Sequence, residues 1–275
     1  MRTWTFNWSS YQSLQKLPCR FSEKTLFQNH QDARQFIDAG VVKKQKTNVI
    51  VGSGVPTARY CLERVTQENR ENLRRELGLK QGEVTITMIS RIIRSKGVLD
   101  FVVAAETITN HCSNVRFLLV GPEDSESLDR LDQQGLSRLK QYVTWPGPLQ
   151  DIPAVLAESD VFVLPSAYRE GVPRVLLEAA SMALPIITTD TPGCNEVVVE
   201  GVNGYFTPVH DSQALSDAIL RLIQQPELRK NFGLSSRKRA VENFDIKVIA
   251  AQLTSEYLEL LSDGNSAVNH GQPTG

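Results

Sequence analysis

Cysteine and histidine are scarce in this sequence. Four of each are scattered over 275 residues, without the CxxC spacing of a zinc or redox pair, and no histidine stands at metal-ligand spacing from another histidine or a cysteine. This scatter argues against a transition-metal site and predicts free thiols in a reducing compartment. The cysteines are Cys19, Cys61, Cys112 and Cys194, and the histidines are His30, His111, His210 and His270.

Long apolar runs are also missing. No segment approaches the roughly 20 apolar residues that a membrane-spanning helix needs. Residues 1–10 are not followed by the apolar core and small-residue cleavage site of a secretory signal. We therefore predict a cytoplasmic protein, a location that allows peripheral work at the inner face of a membrane.

Neither sign of charge dominates the chain. The 30 basic and 31 acidic residues leave a formal net charge of -1. Because no global field attracts a polyanion, we predict no nucleic-acid partner. With 41% hydrophobic and 22% charged residues, the chain has the composition of an ordinary globular protein with a sizeable core.

From Val84 onward, short β-branched runs alternate with longer segments of helical periodicity. This pattern predicts a doubly wound, Rossmann-like parallel α/β sheet, which binds ligands beyond the carboxyl ends of its strands. The predicted strands are 84–90, 115–121, 142–145, 161–165, 185–189 and 205–207. The predicted helices between them are 97–110, 152–159, 173–183 and 212–225.

The two ends of the chain differ from this central part. Residues 1–80 contain too few strand patterns for a second sheet domain, with helices predicted at 32–39 and 67–77 and one strand at 48–52. Two further amphipathic helices are predicted at 227–243 and 246–261. The predicted segments are an N-terminal unit at 1–80, a ligand-binding domain at 81–243, a bracing helix at 244–261 and a disordered tail at 262–275.

A glycine-rich turn at Gly52-Ser53-Gly54 follows an apolar run, like the start of a dinucleotide-binding fingerprint. The G-x-G-x-x-G pattern fails because Thr57 stands where the third glycine belongs and Pro56 interrupts the turn. We interpret the segment as a turn between two structural units, with a nicotinamide site as the weaker alternative.

Two cations follow the first strand of the predicted sheet. Arg91 and Lys96 lie between that strand and the next helix, where an arginine fork and a mobile lysine charge can meet a phosphate. Basic loop residues are solvated more often than they bind ligands. This pair alone therefore does not define a site.

Residues 165–178 form a strand end, a tight loop and the start of a helix. Pro173 suits the first helical turn, which places the amides of Gly171 and Val172 at the positive end of that helix. Glu170 in the loop and Glu178 on the helix can accept hydrogen bonds from sugar or ribose hydroxyls. The alternative is that Glu170 caps the helix and Glu178 is an exposed helix residue. We favour a binding role because Glu178 lies among apolar residues, where a carboxylate needs a partner.

Glu170 and Glu178, with seven residues between them, resemble the E-x7-E motif of the group 1 family of retaining glycosyltransferases. Arg91 through Lys96-Gly97 resembles the family's Gly-Arg-x-x-x-x-Lys-Gly, with Ser90 in place of the first glycine. The other matching pieces are Val120-Gly121-Pro122, Trp145-Pro146-Gly147, Thr191-Pro192-Gly193-Cys194-Asn195-Glu196 and Gly201-Val202-Asn203-Gly204. The resemblance runs from about Phe27 to Leu261.

The resemblance implies a GT-B architecture, in which two Rossmann-like domains face each other and the C-terminal one holds most of the donor. It implies a UDP-, GDP- or similar nucleotide sugar as donor, retention at the anomeric carbon, and neither a metal nor an organic cofactor. The implied catalytic residues are Glu170, Arg91 and Lys96. By this resemblance Arg91 and Lys96 hold the diphosphate, helped by the amides that follow Glu170, those of Gly171 and Val172. Glu170 contacts the sugar, Glu178 contacts the ribose, and the backbone from Tyr142 to Gly147 flanks the base. Pro173 is implied as a further donor-binding residue.

By the same resemblance, residues 1–80 are a remnant of the N-terminal acceptor domain and the linker, with most of that domain absent. One hypothesis is an enzyme that transfers a hexose to a polysaccharide or lipid-linked acceptor, present here as its donor-binding half. The other is a non-catalytic nucleotide-sugar-binding module, or a truncated product, that needs a separate acceptor-domain chain. An exposed apolar face near Val41, Val42 and the last helix would favour this second hypothesis.

Overall fold

The computed structural model describes residues 8–269, with side chains from residue 14 to residue 262. A small β-α-β unit preceded by a helix forms the N-terminal part. Its elements are α1 (Trp8–Phe21), β1 (Thr25–Phe27), α2 (His30–Asp38) and β2 (Thr47–Val49). The two strands pair in parallel with Thr25 opposite Thr47. The sequence predicted α2 and β2 but not α1 or β1, because a three-residue strand is too short to show a period and Pro18 interrupts the pattern of α1.

The small core under α2 buries Val41 and Val42 together with Phe36. These two valines therefore do not form an exposed apolar face. Tyr257 and Leu258, near the C-terminal end of the described side chains, are exposed.

The segment after β2 leads to α3 (Gln67–Leu77) through two glycines with positive φ, Gly52 and Gly54. A Cβ on Gly54 would lie 3.0 Å from the Cα of Ile246, so the segment packs closely on the C-terminal part of the chain. Val55 exchanges backbone hydrogen bonds with Phe244 and Ile246 at 2.8 and 2.9 Å. This geometry supports the interpretation of the glycine turn as a structural link.

The main unit is a six-stranded parallel sheet with helices between its strands. Its strands are β3 (Val84–Ile89), β4 (Val115–Val120), β5 (Thr144–Gly147), β6 (Val161–Leu164), β7 (Ile186–Thr189) and β8 (Gly204–Thr207). The helices are α4 (Val98–Thr109), α5 (Gln133–Tyr142), α6 (Ile152–Ala157), α7 (Arg174–Ser181), α8 (Cys194–Val197), α9 (Ser212–Gln224), α10 (Pro226–Asn243) and α11 (Ile246–Asn269).

The order of strands in the sheet is β5-β4-β3-β6-β7-β8. Strand β3 pairs with β4 on one side and β6 on the other, all in parallel, so the direction of winding reverses between β3 and β6. A crevice at the carboxyl ends of these two strands is where doubly wound sheets bind ligands. The predicted α/β class and doubly wound sheet are confirmed.

Helix α4 shows how the sequence pattern produces this packing. Val98, Phe101, Val102 and Ala105 recur at helical spacing, and all four are fully buried against the sheet. The Phe101 ring meets Phe117 of β4 edge-on, with ring centroids 5.2 Å apart. Burying one face of α4 in this way fixes the helix and the loop that precedes it.

The structure differs from the prediction between β4 and β5. Helix α5 was not predicted, and Tyr142, predicted to start a strand, is its last residue. Gly135 lowers the helix propensity inside α5, while Asp132 caps it by accepting from the Gly135 amide at 2.8 Å. Capping and packing on the sheet thus override the local pattern.

The last helix also differs. Helix α11 runs to Asn269, beyond its predicted end at residue 261, and residues 270–275 of the predicted disordered tail lie outside the described part of the chain. Polar residues disfavour helix only weakly, and extending an existing helix costs far less than starting one. Among the described residues, no helix is both long and apolar enough to cross a bilayer.

Candidate functional site

The loops after β3 and β6 lie side by side at the carboxyl edge of the sheet. The Ala167 amide donates to the Ser95 carbonyl at 2.8 Å. Gly97 closes the first loop with φ +76°, and a Cβ there would lie 2.1 Å from the carbonyl oxygen of Pro165. Glycine is therefore required at this position, both for the left-handed backbone and for the close approach of the two loops.

Lys96 and Glu170 meet across this contact. The Lys96 ammonium lies 2.5 Å from Glu170 Oε1, and the two side chains are only 13% and 23% exposed. The same ammonium stands 5.3 Å from the ring centroid of Tyr168. Partial removal from water strengthens these interactions. The structure thus brings together two of the predicted site residues.

Arg91 has a different partner. Its guanidinium donates to Asp124 Oδ2 at 2.7 Å, and its side chain is 52% exposed. Asp124 belongs to the loop after β4, which joins the β3 loop through a hydrogen bond from the Ile92 amide to Pro122 at 3.0 Å. The predicted contact of Arg91 with a diphosphate stays a prediction. Sequence reasoning missed Asp124, although it follows Val120-Gly121-Pro122 closely.

Glu178 is buried on α7, with only 8% of its side chain exposed. Arg174, one turn earlier, donates to it at 3.1 Å. Burial raises the pKa of the Glu178 carboxyl above its ordinary value, and interactions with Tyr60 and Arg174 oppose this effect. Burial, followed by the charge of Glu178, raises the pKa of Tyr60 to about 12. The alternative of an exposed helix residue is therefore wrong, and the expected partner exists.

The loop from Glu170 enters α7 one residue later than predicted. Pro173 is the N-cap, with φ -60° and ψ 117°, and Arg174 is the first helical residue. Gly171 and Val172 therefore precede the cap and lie outside the helix, next to the end that carries the positive charge of the helix dipole. The predicted anion contact of these amides stays a prediction.

A second glycine, Gly193, packs closely against the same loop at Gly171. Gly193 has φ +87°, and a Cβ there would lie 1.9 Å from the Gly171 carbonyl oxygen. Cys194, which follows it, is buried, and burial raises the pKa of its thiol. Cys194 is thus a residue of the buried core next to this loop, and the four cysteines are free in the structure.

Gly147 ends β5 at the far edge of the sheet. Its carbonyl accepts from the Gly121 amide at 3.0 Å, and the Trp145 indole donates to the Gly121 carbonyl at 2.9 Å. Gly147 is thus connected to the β4 loop, with β4 between it and β3. The predicted base contact stays a prediction.

Sequence reasoning missed a further set of residues, at the start of α2. Asn29 donates to the Gly171 carbonyl at 3.3 Å, and Arg169 donates to Asp32 at 2.8 Å. The His30 amide donates to Glu196 at 2.7 Å. No local pattern in the sequence indicates these contacts, because they join segments about 140 residues or more apart along the chain.

In the described part of the chain, no group of three or more His, Cys, Asp or Glu side chains is arranged to hold a metal ion. The charged groups of the site lie in the loops after β3, β4 and β6 and on α7.

Comparison with known proteins identifies the family. A family model described as Glycosyl transferases group 1 matches residues 69–239. The chain belongs to this family. The matched region of this group 1 member contains Arg91, Lys96, Glu170 and Glu178.

A curated relative in Campylobacter jejuni is named N,N'-diacetylbacillosaminyl-diphospho-undecaprenol alpha-1,3-N-acetylgalactosaminyltransferase. It is 28% identical over 249 residues, covering 89% of this chain and 62% of the relative. The chain spans less than two thirds of the length of the curated relatives it matches first.

Two solved structures show the same fold. The Anabaena protein HepE in complex with UDP superposes with a TM-score of 0.81 at 24% identity, covering 93% of this chain and 69% of HepE. The C-terminal domain of LpcC, a group 1 family protein from Francisella tularensis, gives a TM-score of 0.61 at 22% identity over 70% of this chain. All of that LpcC domain is covered.

Proposed function

We propose that this chain binds a nucleotide diphosphate sugar in the crevice between β3 and β6, as the donor-binding half of a retaining hexosyltransferase. The observation that carries the proposal is the Lys96–Glu170 pair at 2.5 Å, which places a cation and a carboxylate beside the start of α7. Membership of the group 1 family supports it, and so does the complex of the structural neighbour HepE with UDP.

The proposed roles follow from the chemistry of the leaving group. A nucleoside diphosphate gains negative charge as the glycosidic bond breaks, and preorganised cations and helix-terminal amides stabilise that charge. We assign Lys96, Arg91 and the backbone at Gly171 and Val172 to this task, with Pro173 shaping the turn into α7. Binding of the donor would place its diphosphate in competition with Asp124 for Arg91.

The two carboxylates have separate roles in this proposal. Glu170, paired with a cation at the loop, accepts hydrogen bonds from donor-sugar hydroxyls. Glu178, buried one turn inside α7, accepts from the ribose hydroxyls, and Gly147 flanks the base. A buried carboxylate with few rotamers is suited to bidentate recognition of vicinal hydroxyls.

We also propose that the reaction needs neither a divalent metal nor an organic cofactor. The support is that Lys96 and Arg91 supply positive charge where the leaving group would lie. Transfer should therefore be unchanged by EDTA, and a requirement for Mg²⁺ or Mn²⁺ would contradict this part of the proposal.

For the acceptor, we propose a growing polysaccharide or a lipid-linked glycan, reached at the inner face of the membrane. The Campylobacter relative, whose name contains a diphospho-undecaprenol acceptor, supports this class. The alternative is a nucleotide-sugar-binding module that acts with a separate acceptor-domain chain.

Calorimetry tests the donor site, and a transfer assay separates the two alternatives. UDP or GDP should bind the isolated protein, and Arg91→Ala should weaken that binding. Saturating nucleotide with neither heat nor a thermal shift would refute the assignment. Robust transfer from a labelled nucleotide sugar by this chain alone would rule out the partner-dependent module.

A further inference from the structure

The segment that joins β1 to α2 lies directly on the loop that carries Glu170. Arg169 Nε donates to Asp32 Oδ1 at 2.8 Å, and Asn29 Nδ2 donates to the Gly171 carbonyl at 3.3 Å. Gln28 packs so closely that a Cβ on Gly171 would lie 2.2 Å from its Oε1. The N-terminal unit therefore contacts the residues on both sides of Glu170.

Asn29 and Asp32 are themselves fixed. Asn29 is fully buried. Its side chain accepts from the Asp32 amide at 2.7 Å, as the N-cap of α2, and donates to Asp32 Oδ2 at 2.7 Å. One oxygen of the Asp32 carboxylate thus accepts a hydrogen bond from Asn29, and the other accepts from Arg169. Charge-assisted hydrogen bonds from two directions leave it little freedom.

Three consecutive loop residues are consequently held by three partners. Arg169 is bound to Asp32, Glu170 to Lys96 and Gly171 to Asn29. The loop has no regular secondary structure between β6 and α7. Its shape, and the position of the Glu170 carboxylate, therefore depend on these side-chain contacts.

We propose that Asp32, supported by Asn29, is a positioning residue for Glu170. By binding Arg169, Asp32 keeps that cation away from the neighbouring Glu170 carboxylate, which then pairs with Lys96. Without the Asp32 charge, Arg169 competes for Glu170 and the carboxylate leaves its place. This inference rests on the proposed function, in which Glu170 contacts the donor sugar.

Loss of this positioning should differ from general destabilisation of the fold, because it should weaken binding of UDP-glucose more than binding of UDP. Asp32→Asn keeps the size of the side chain and the backbone amide of the residue but removes its charge. It should weaken binding of UDP-glucose about three- to tenfold, the effect expected for a partly exposed ion pair. Binding of UDP, which lacks the sugar, should change less than about twofold. Asp38→Asn, at the other end of α2 and exposed, is the matched control and should change neither affinity.

A double-mutant cycle with Arg169→Gln tests whether Asp32 acts on Glu170 through Arg169. Because Asp32 acts through Arg169, the double variant should lose no more UDP-glucose affinity than the weaker-binding single variant. Equal losses for UDP and UDP-glucose, additive losses, or no loss in Asp32→Asn would overturn the inference while the donor site stands. If the wild-type protein bound none of UDP, GDP, UDP-glucose and GDP-mannose, the proposed function itself would be refuted.

Discussion

The ammonium of Lys96 lies 2.5 Å from a carboxylate oxygen of Glu170, and this contact joins the loops that follow β3 and β6. The two residues are 74 positions apart along the chain. They meet because the strands before them are neighbours in the sheet and end at the same edge. The contact is thus a direct product of the reversal in strand order.

Lys96→Met should therefore impair donor binding and transfer far more than folding. It removes the cation beside Glu170 and leaves that carboxylate partly buried without its partner. We expect kcat/KM, or the donor Kd if the chain only binds, to worsen by roughly ten- to a hundredfold. Lys140→Met, at an exposed position, is the control. Equal behaviour of the two variants in a binding titration would contradict the assignment.

Gly97→Ala should disrupt the same contact through the backbone. The new Cβ would lie 2.1 Å from the Pro165 carbonyl oxygen, at a φ of +76°. Gly82 has a similar φ of +84°, and nothing lies within 4 Å of the position that a Cβ would take there, so Gly82→Ala carries only the cost of the left-handed backbone. That cost is about 1 kcal/mol.

Urea unfolding of the two glycine variants measures the difference. Gly97→Ala should lose roughly 1–3 kcal/mol more than Gly82→Ala, because overpacking adds to the backbone strain. It should also lose donor affinity, which Gly82→Ala should keep. Similar losses of stability in both variants would show that the close approach to Pro165 is unimportant.

Glu178→Gln should change how stability depends on pH. Burial raises the pKa of Glu178 in the folded protein above its ordinary value, so the folded state binds this proton more tightly than the unfolded state. The stabilising contribution is full below the ordinary pKa and is lost as pH rises through the raised one. A glutamine lacks this titration.

The stability of Glu178→Gln relative to wild type, measured by urea unfolding, should consequently increase as the pH rises above about 4.5, the ordinary pKa of a glutamate. Arg174→Gln, which removes a cation that opposes the shift, should strengthen the pH dependence of the otherwise wild-type protein. A difference between Glu178→Gln and wild type that is constant with pH would contradict the burial argument.

The ion pairs of Glu158 should matter for the stability of the fold but not for donor binding. Glu158 has 1% of its side chain exposed and binds Arg70 at 2.6 Å and also Arg74, both on α3. Glu158→Gln should cost about 2–3 kcal/mol of unfolding free energy, because two arginines lose a buried carboxylate. Donor affinity should not change. The exposed Glu68→Gln, also on α3, should cost less than about 0.5 kcal/mol.

The alternation of strands and helices, the doubly wound class and the burial of Glu178 could be predicted from the sequence, because each depends on local patterns of apolar residues. The partners of the charged residues could not be predicted from the sequence. Arg91 binds Asp124 rather than sharing a partner with Lys96, and Asp32 binds Arg169 across 137 positions. Such pairs follow from which loops the topology places together, and no local spacing encodes them.

The boundaries that the sequence missed have related causes. Helix α5 depends on the Asp132 cap and on contacts with the sheet that outweigh its internal glycine. Strand β1 contains three residues and is defined by its pairing with β2. In both cases the decisive interactions are tertiary.

A crystal structure of the protein with UDP bound tests the central claim most directly. We expect density for the diphosphate at the carboxyl ends of β3 and β6, in contact with Lys96 and with the backbone at Gly171 and Val172. We also expect the ribose to lie within hydrogen-bond distance of Glu178. A nucleotide bound elsewhere on the molecule, with this crevice empty at saturating UDP, would contradict the account.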